Sequence, residues 1–362
     1  MNKGSITADA KSIEAGIQKA VHIIRDEIEE FGTFKEQYDA LEGFRKELLK
    51  YVRWASPNKR LFWNKCTLIP SGDVLDWHVT GYLAPLDLKR ASWGGITRTP
   101  AEHVTVLSKA LKKHGTRLIY VALPCKGVIY PELVVGSSQY RKGAPTAPQW
   151  RKMVLEMLEA GVEVLDMFPV FQENKDKPLF SFEHNISPEG AELTAKVTAE
   201  YIKSTSHLEI PAGGGFSNSK RAMWYHPWQT NAPEKHVRLH TESYVEKNGV
   251  PYLPFENDSK ICIFGNCNLQ AFQYRGSGIA ANLGYQLQRD IDYMGRKLIF
   301  GNRRGECYDE ETFKRTVEKD IAVCISFPSG SFVRTANVSR QIVREVIRNR
   351  SLNGKWSGTD IG

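Results

Sequence analysis

A chain of 362 residues, 41% of them hydrophobic, has enough apolar side chains for one large domain or two ordinary ones. Its apolar runs, such as 118–123 and 261–264, are far shorter than the roughly 20 residues a bilayer-crossing helix needs, which excludes a transmembrane helix. The net charge of +8 would suit a polyanion, but the basic residues are dispersed (Lys112–Lys113, Arg303–Arg304, the tail from Arg340). No RNA-binding or helix-turn-helix signature accompanies them, so they read as solvated helix faces and nucleic acid is not an expected partner.

The first residues lack the apolar core of a secretory signal, so the expectation is a cytoplasmic chain or a precursor without its leader. From Ser12 to Tyr51 apolar residues recur at helical spacing (Ile17, Val21, Ile24, Ile28). An irregular aromatic-rich stretch, Trp54 to Gly95, contains Asp76 and His78, which without a third partner read as loop residues. After Pro100 the order becomes regular. A helix from about Ala101 to His114 precedes the buried strand "RLIYVALP". A helix from about Gln149 to Ala160 precedes "VEVLDMFP". Ser187 as N-cap and Pro188 at the first helical position then open a long alanine-rich helix.

The rhythm breaks between Ser204 and Lys260, a segment read as an excursion or short hairpins. There Trp224, Tyr225, His226 and Trp228 could line a sugar-stacking wall or simply anchor the excursion. Alternation then resumes: "KICIFGN" as strand, 277–291 as helix, "RKLIFGN" as strand, 310–319 as helix, "IAVCISFP" as strand, 338–350 as closing helix. Helix and strand alternating through short connections predict an α/β fold, a doubly wound parallel sheet. The predicted division is an N-terminal helical and irregular extension over 1–100 and an α/β domain over 101–362 with an insertion at about 204–259.

In such sheets chemistry gathers beyond the carboxyl ends of the strands. Four stretches fall there: "PCKGVIYPE", "FEHNISPEG", "GNCN" and "FPSGSFVR". In "KICIFGNCNLQAF" a strand and a glycine turn lead to Cys267 and a helix-compatible segment. That setting would expose a nucleophile at a helix N-terminus. Packing is the alternative for Cys267, because Cys262 and Cys324 sit inside apolar runs. The six cysteines show no CxxC pair, so reduced thiols are expected rather than a disulfide frame or a metal site. With no ligand spacing and no phosphate loop, no metal and no cofactor are expected.

Taken in order, "LPCKGVIYPE" (Leu123 to Glu132), "VEVLD" ending at Asp166, "EHNISPEGA" (Glu183 to Ala191) and "FGNCN" (Phe264 to Asn268) resemble the SGNH hydrolase-like domain of the alginate O-acetyltransferase family. The resemblance covers about Ala101 to Arg334. It implies an SGNH/flavodoxin-like fold and a carbohydrate O-acetyltransferase or acetyl-esterase-like protein. It also implies a polysaccharide or other acylated carbohydrate as partner, together with protein partners of an exopolysaccharide assembly system, and a periplasmic or extracytoplasmic setting.

Position by position, the family's serine nucleophile falls on Cys267, the aspartate of its Gly-Asp-Ser on Asn266, the aspartate of its Asp-x-His on Glu183 and its histidine on Asn185. An amide cannot serve as a general base, so His184, one residue earlier, is the expected base for Cys267, with Glu183 as its orienter. Asn266, Asn268 and Asn185 are candidates for oxyanion or substrate contacts. So are Lys126, Tyr130 and Arg334, the last able to grip a carboxylated sugar. The alternative is a catalytically inactive SGNH-like protein that binds a glycan or takes part in assembly.

Overall fold

The computed structural model describes residues 6–43, 45–46, 86, 99–130, 146–180, 185–208, 214–225, 238–295, 297 and 308–326. The expected strand "RKLIFGN" apart from Lys297, the helix at 338–350, Asp76, His78, Arg303, Arg304, His226 and Trp228 lie outside them. Nothing is described of the side chains of Trp224 and Tyr225.

In chain order the elements are β1 (Thr7–Ala8), α1 (Ala10–Phe31), α2 (Phe34–Ala40), α3 (Pro100–Lys113), β2 (Arg117–Ala122), α4 (Lys126–Ile129), α5 (Pro148–Glu159), β3 (Glu163–Asp166), α6 (Phe168–Glu173) and α7 (Pro188–Ser204). There follow β4 (Ser206–His207), β5 (Phe216–Tyr225), β6 (Arg238–Lys247), β7 (Val250–Pro251), β8 (Ile261–Gly265), α8 (Cys267–Gln270), α9 (Ile279–Leu287), β9 (Asp292–Tyr293), α10 (Glu310–Thr316) and β10 (Ile321–Ser326).

Local chemistry sets the ends of the helices. Asp9 caps α1 by accepting from the N–H groups of Lys11 and Ser12. The predicted N-terminal helical run is divided in two, because Thr33 and Glu36 form a capping box that starts a second helix. Thr99 and Glu102 form another at α3, with Pro100 at the first turn. Ile17, Val21 and Ile24 of α1 are buried in the same core as the sheet, and Glu27 reaches Arg151 of α5.

Among the described residues, five parallel strands form the main sheet in the order β3-β2-β10-β8-β9. Every residue of β8 and β10 is buried, as is all of β2 after Arg117. Covered on both faces, these strands read as continuous apolar runs, and for that reason the sequence disclosed them. The fold is α/β with a doubly wound parallel sheet and a helical N-terminus. The last described strand, β10, stands at its centre, where the simple flavodoxin-like order puts the third strand. That placement joins the carboxyl ends of β2, β10 and β8 in one rim: the Leu123 N–H donates to Ser326 O (2.8 Å) and the Asn266 N–H to Ile325 O (3.0 Å).

Gly265 ends β8 for a steric reason, since a Cβ there would lie 2.1 Å from the Ile325 carbonyl oxygen. Among the described residues the strand that follows β8 along the chain is Asp292–Tyr293, two residues long and too short to show periodicity in the sequence. The segment that interrupts the alternation is built on one long antiparallel hairpin. The ten-residue arms β5 and β6 pair from Phe216↔Lys247 to Tyr225↔Arg238, and β7 adds to β6.

Candidate functional site

The site begins where β8 stops. Asn266 leaves the strand in an extended conformation, and its side-chain oxygen accepts from the Asn268 N–H (3.0 Å). This Asx turn starts α8, which lasts one turn. The expected helix after Cys267 is therefore too short for a macrodipole to act on the sulfur, because too few peptide units align.

Cys267 is half-buried, whereas Asn266 and Asn268 are 7% and 2% exposed. The Asn268 side-chain oxygen accepts from the Ile186 N–H at 2.8 Å. That bond joins the turn after β8 to the segment "EHNIS", which lies 82 residues earlier. Phe180 bridges Ile186, and the Ser187 N–H donates to Leu179 O (2.9 Å), so Leu179 and Phe180 are held against Ile186 and Ser187. Glu183, His184 and Arg334 themselves lie outside the described residues. Asn185 is half-buried.

The helix after this segment is fixed closely. The Ser187 hydroxyl accepts from the Gly190 N–H (3.0 Å), and a Cβ at Gly190 would lie 2.3 Å from Leu179 O. "SPEG" thus combines an N-cap, a first-turn proline and a glycine that admits a neighbouring carbonyl.

The stretch after β2 is committed largely to structure. Lys126 is 5% exposed. Tyr130 donates its hydroxyl to Lys175 O (2.9 Å) and Lys177 O (3.2 Å), and its ring meets Phe180 edge-on with centroids 6.1 Å apart. Tyr130 therefore steadies the chain from Lys175 to Phe180. Cys125 is buried on the same rim, and desolvation pushes its thiol up to about 12, with nearby Cys267 adding to the effect. Beside it an apolar cleft lies between Pro124, Val128, Ala147, Trp150 and Phe168. The cleft ends at Arg151, whose guanidinium is ion-paired with Glu27 and Asp166.

Two polar clusters escaped the sequence reading, and both tie the hairpin to the rim. His240 on β6 is buried, and its Nδ1 lies 2.9 Å from the Glu189 carboxylate, which also accepts from the Thr241 N–H (2.6 Å). Burial works against the charged form of Glu189, yet the bonds from His240 and Thr241 hold its carboxyl below the ordinary value. Farther along β6, Glu242 takes a two-pronged contact from Arg275 (2.9 and 3.1 Å) and a bond from the Ser277 hydroxyl (3.1 Å). The pairing of Glu189 with His240 leaves no local signal in the sequence, since the two are 51 positions apart. Among the described residues no group of three or more His, Cys, Asp and Glu is placed to hold a metal ion. Nor is any helix among them long and apolar enough to cross a membrane.

Comparison with known proteins gives three kinds of result. Residues 88–221 match the family described as SGNH hydrolase-like domain, acetyltransferase AlgX. The matched span includes "LPCKGVIYPE", "VEVLD" and "EHNISPEGA" and stops before Cys267. No curated protein matches the sequence. Among solved structures, the O-acetyltransferase domain of Pseudomonas putida AlgJ is 14% identical, with a TM-score of 0.48 over 63% of this chain and 81% of that one. Pseudomonas aeruginosa AlgX is 18% identical, with a TM-score of 0.47 over 68% of this chain and 58% of AlgX. Bacillus cereus PatB1 with a sulfonyl adduct is 12% identical, with a TM-score of 0.40 over 65% of this chain and 90% of PatB1. Over residues 88–221, which hold three of its four ordered motifs, the chain is similar to the family described as SGNH hydrolase-like domain, acetyltransferase AlgX.

Proposed function

We propose that the protein transfers acetyl groups to or from a carbohydrate through Cys267. The observation that supports this reading is the 2.8 Å bond from the Ile186 N–H to Asn268, which fixes Ile186 at the turn bearing Cys267. His184 is two residues from Ile186 along the chain. In the first step the Cys267 thiolate attacks the acetyl carbonyl carbon of a donor ester. The carbon–oxygen bond to the donor breaks, and protonated His184 returns its proton to the departing oxygen. In the second, a sugar hydroxyl gives its proton to His184 while its oxygen attacks the thioester, and the carbon–sulfur bond breaks to restore the thiolate. Water in place of the sugar makes the same cycle an esterase.

Glu183 orients His184 in this reading. The oxygens of Asn266 and Asn268 accept backbone bonds, which leaves their Nδ2 groups to donate to the oxyanion. Asn185, Lys126, Tyr130 and Arg334 complete the proposed surroundings of the acyl group and sugar.

A second reading, an inactive SGNH-like glycan-binding or assembly protein, is favoured by Asn185 at the position where the family has its histidine. The rate of Cys267 alkylation measured against pH separates the two. Acyl transfer predicts an inflection well below the ordinary thiol value of about 8.5. An ordinary, slow thiol would leave the binding protein.

A further inference from the structure

The turn bearing Cys267 continues directly into an exposed aromatic surface. After α8 a single 3-10 turn, Gln273–Arg275, presents Tyr274, which is 86% exposed. Phe255 is 69% exposed on the neighbouring segment. Gln273 Nε2 donates to Pro254 O (3.3 Å), and the Tyr293 N–H donates to Phe255 O (3.3 Å), so both segments are fastened to one edge of the molecule. Tyr293, half-buried between them, has its hydroxyl pushed up to about 12, first by burial and then by nearby Tyr274. The bidentate Arg275–Glu242 contact fixes the turn from its other side.

Exposed rings on a backbone this well pinned need an occupant. A protein partner would call for roughly 800 Å² of contact on each side with an apolar centre. Here the rings are few and are interrupted by Glu256, paired with Arg315 at the surface, and by Asn257. Flat rings edged by tyrosine hydroxyls fit an occupant that is itself apolar on its faces and hydroxylated at its rim, and this is the shape of a pyranose.

We infer that Phe255, Tyr274 and Tyr293 form a stacking platform for the carbohydrate chain whose acetyl group meets Cys267. The inference builds on the proposed function but concerns binding alone. Chain connectivity limits it to the neighbourhood of the nucleophile, since seven residues from Cys267 to Tyr274 span at most about 25 Å when fully extended.

The test uses the full chain carrying Cys267→Ala, so that binding is read without turnover. Alginate, cellulose and chitin oligosaccharides are titrated separately by calorimetry. At least one should bind, Tyr274→Ala and Phe255→Ala should each weaken it about tenfold, roughly 1.4 kcal/mol, and Tyr274→Phe should stay within about twofold. Binding to none of the three, or equal binding by the alanine variants, overturns the platform. Its failure is separable from that of the proposed function. Acetyl-ester turnover that needs Cys267 while Tyr274→Ala binds normally removes only the platform. Turnover that survives Cys267→Ala while Tyr274→Ala loses binding removes only the acyl-transfer reading.

Discussion

The two ends of β8 solve opposite problems with similar residues. At its start, the carboxylate of Asp292 has no exposed surface, and its charge is met by Lys319 (2.7 Å), by both prongs of Arg315 and by the Asn257 N–H (3.2 Å). Each polar group there has a partner inside the protein, so nothing remains with which to bind. At its end, the asparagines flanking Cys267 use their oxygens to hold the turn and the Ile186 segment, while the sulfur between them stays partly open. The cysteines follow the same division: Cys262 is fully buried, and desolvation pushes its thiol well up, whereas Cys267 lies on the rim. The contrast is between a strand end whose buried charges are all paired and a rim where the proposed nucleophile is partly exposed.

The largest effect expected on this comparison is functional. Cys267→Ala should lower acetyl-ester turnover by about 10³-fold or more without changing the melting temperature, as loss of a nucleophile does elsewhere. At the other end of the strand, Asp292→Ala strips the counter-charge from two cations. It should destabilise by about 3–5 kcal/mol in denaturant unfolding, far beyond any effect on chemistry. An equal loss from a surface pair such as Lys35–Asp39 would break the distinction.

Asn268→Ala sharpens it, because the residue belongs to both structure and site. Its loss leaves the buried Ile186 N–H without its acceptor and should cost about 1–3 kcal/mol while also lowering turnover. Cys262→Ala, a small trimming of the core, should cost about 1 kcal/mol and leave turnover intact.

The smallest effect is a pH dependence. The folded-state carboxyl of Glu189 lies below its ordinary value of 4.5, so its stabilising contribution is present above that value and is lost as pH falls through the lower, folded one. The melting-temperature gap between the parent chain and Glu189→Gln should therefore be full at neutral pH and close in acid. A gap that widened in acid would contradict the His240 contact.

Much of this architecture was legible because burial on both faces writes continuous apolar runs, as in β2, β8 and β10, and because a helix start carries its own chemistry at Ser187 and Pro188. The turn at Cys267 was legible for a related reason, since only glycine fits beneath the Ile325 carbonyl at the strand's last position. The length of α8 was not, because "CNLQAF" is compatible with a longer helix until Phe272 adopts a left-handed conformation. The pairing of His240 with Glu189 and of Arg275 with Glu242 was also hidden. Those contacts depend on where the hairpin folds back, and no local pattern encodes that.

The central claim, that Cys267 carries the acyl group, is tested most directly by trapping it. The protein is mixed with an excess of acetyl-ester donor, quenched in acid within a turnover and digested, and the peptide carrying Cys267 is weighed. The account predicts one acetyl group on that peptide, removable by hydroxylamine as a thioester is, and absent when Cys267 is alanine. Sustained turnover with no acetyl group on Cys267 would contradict it.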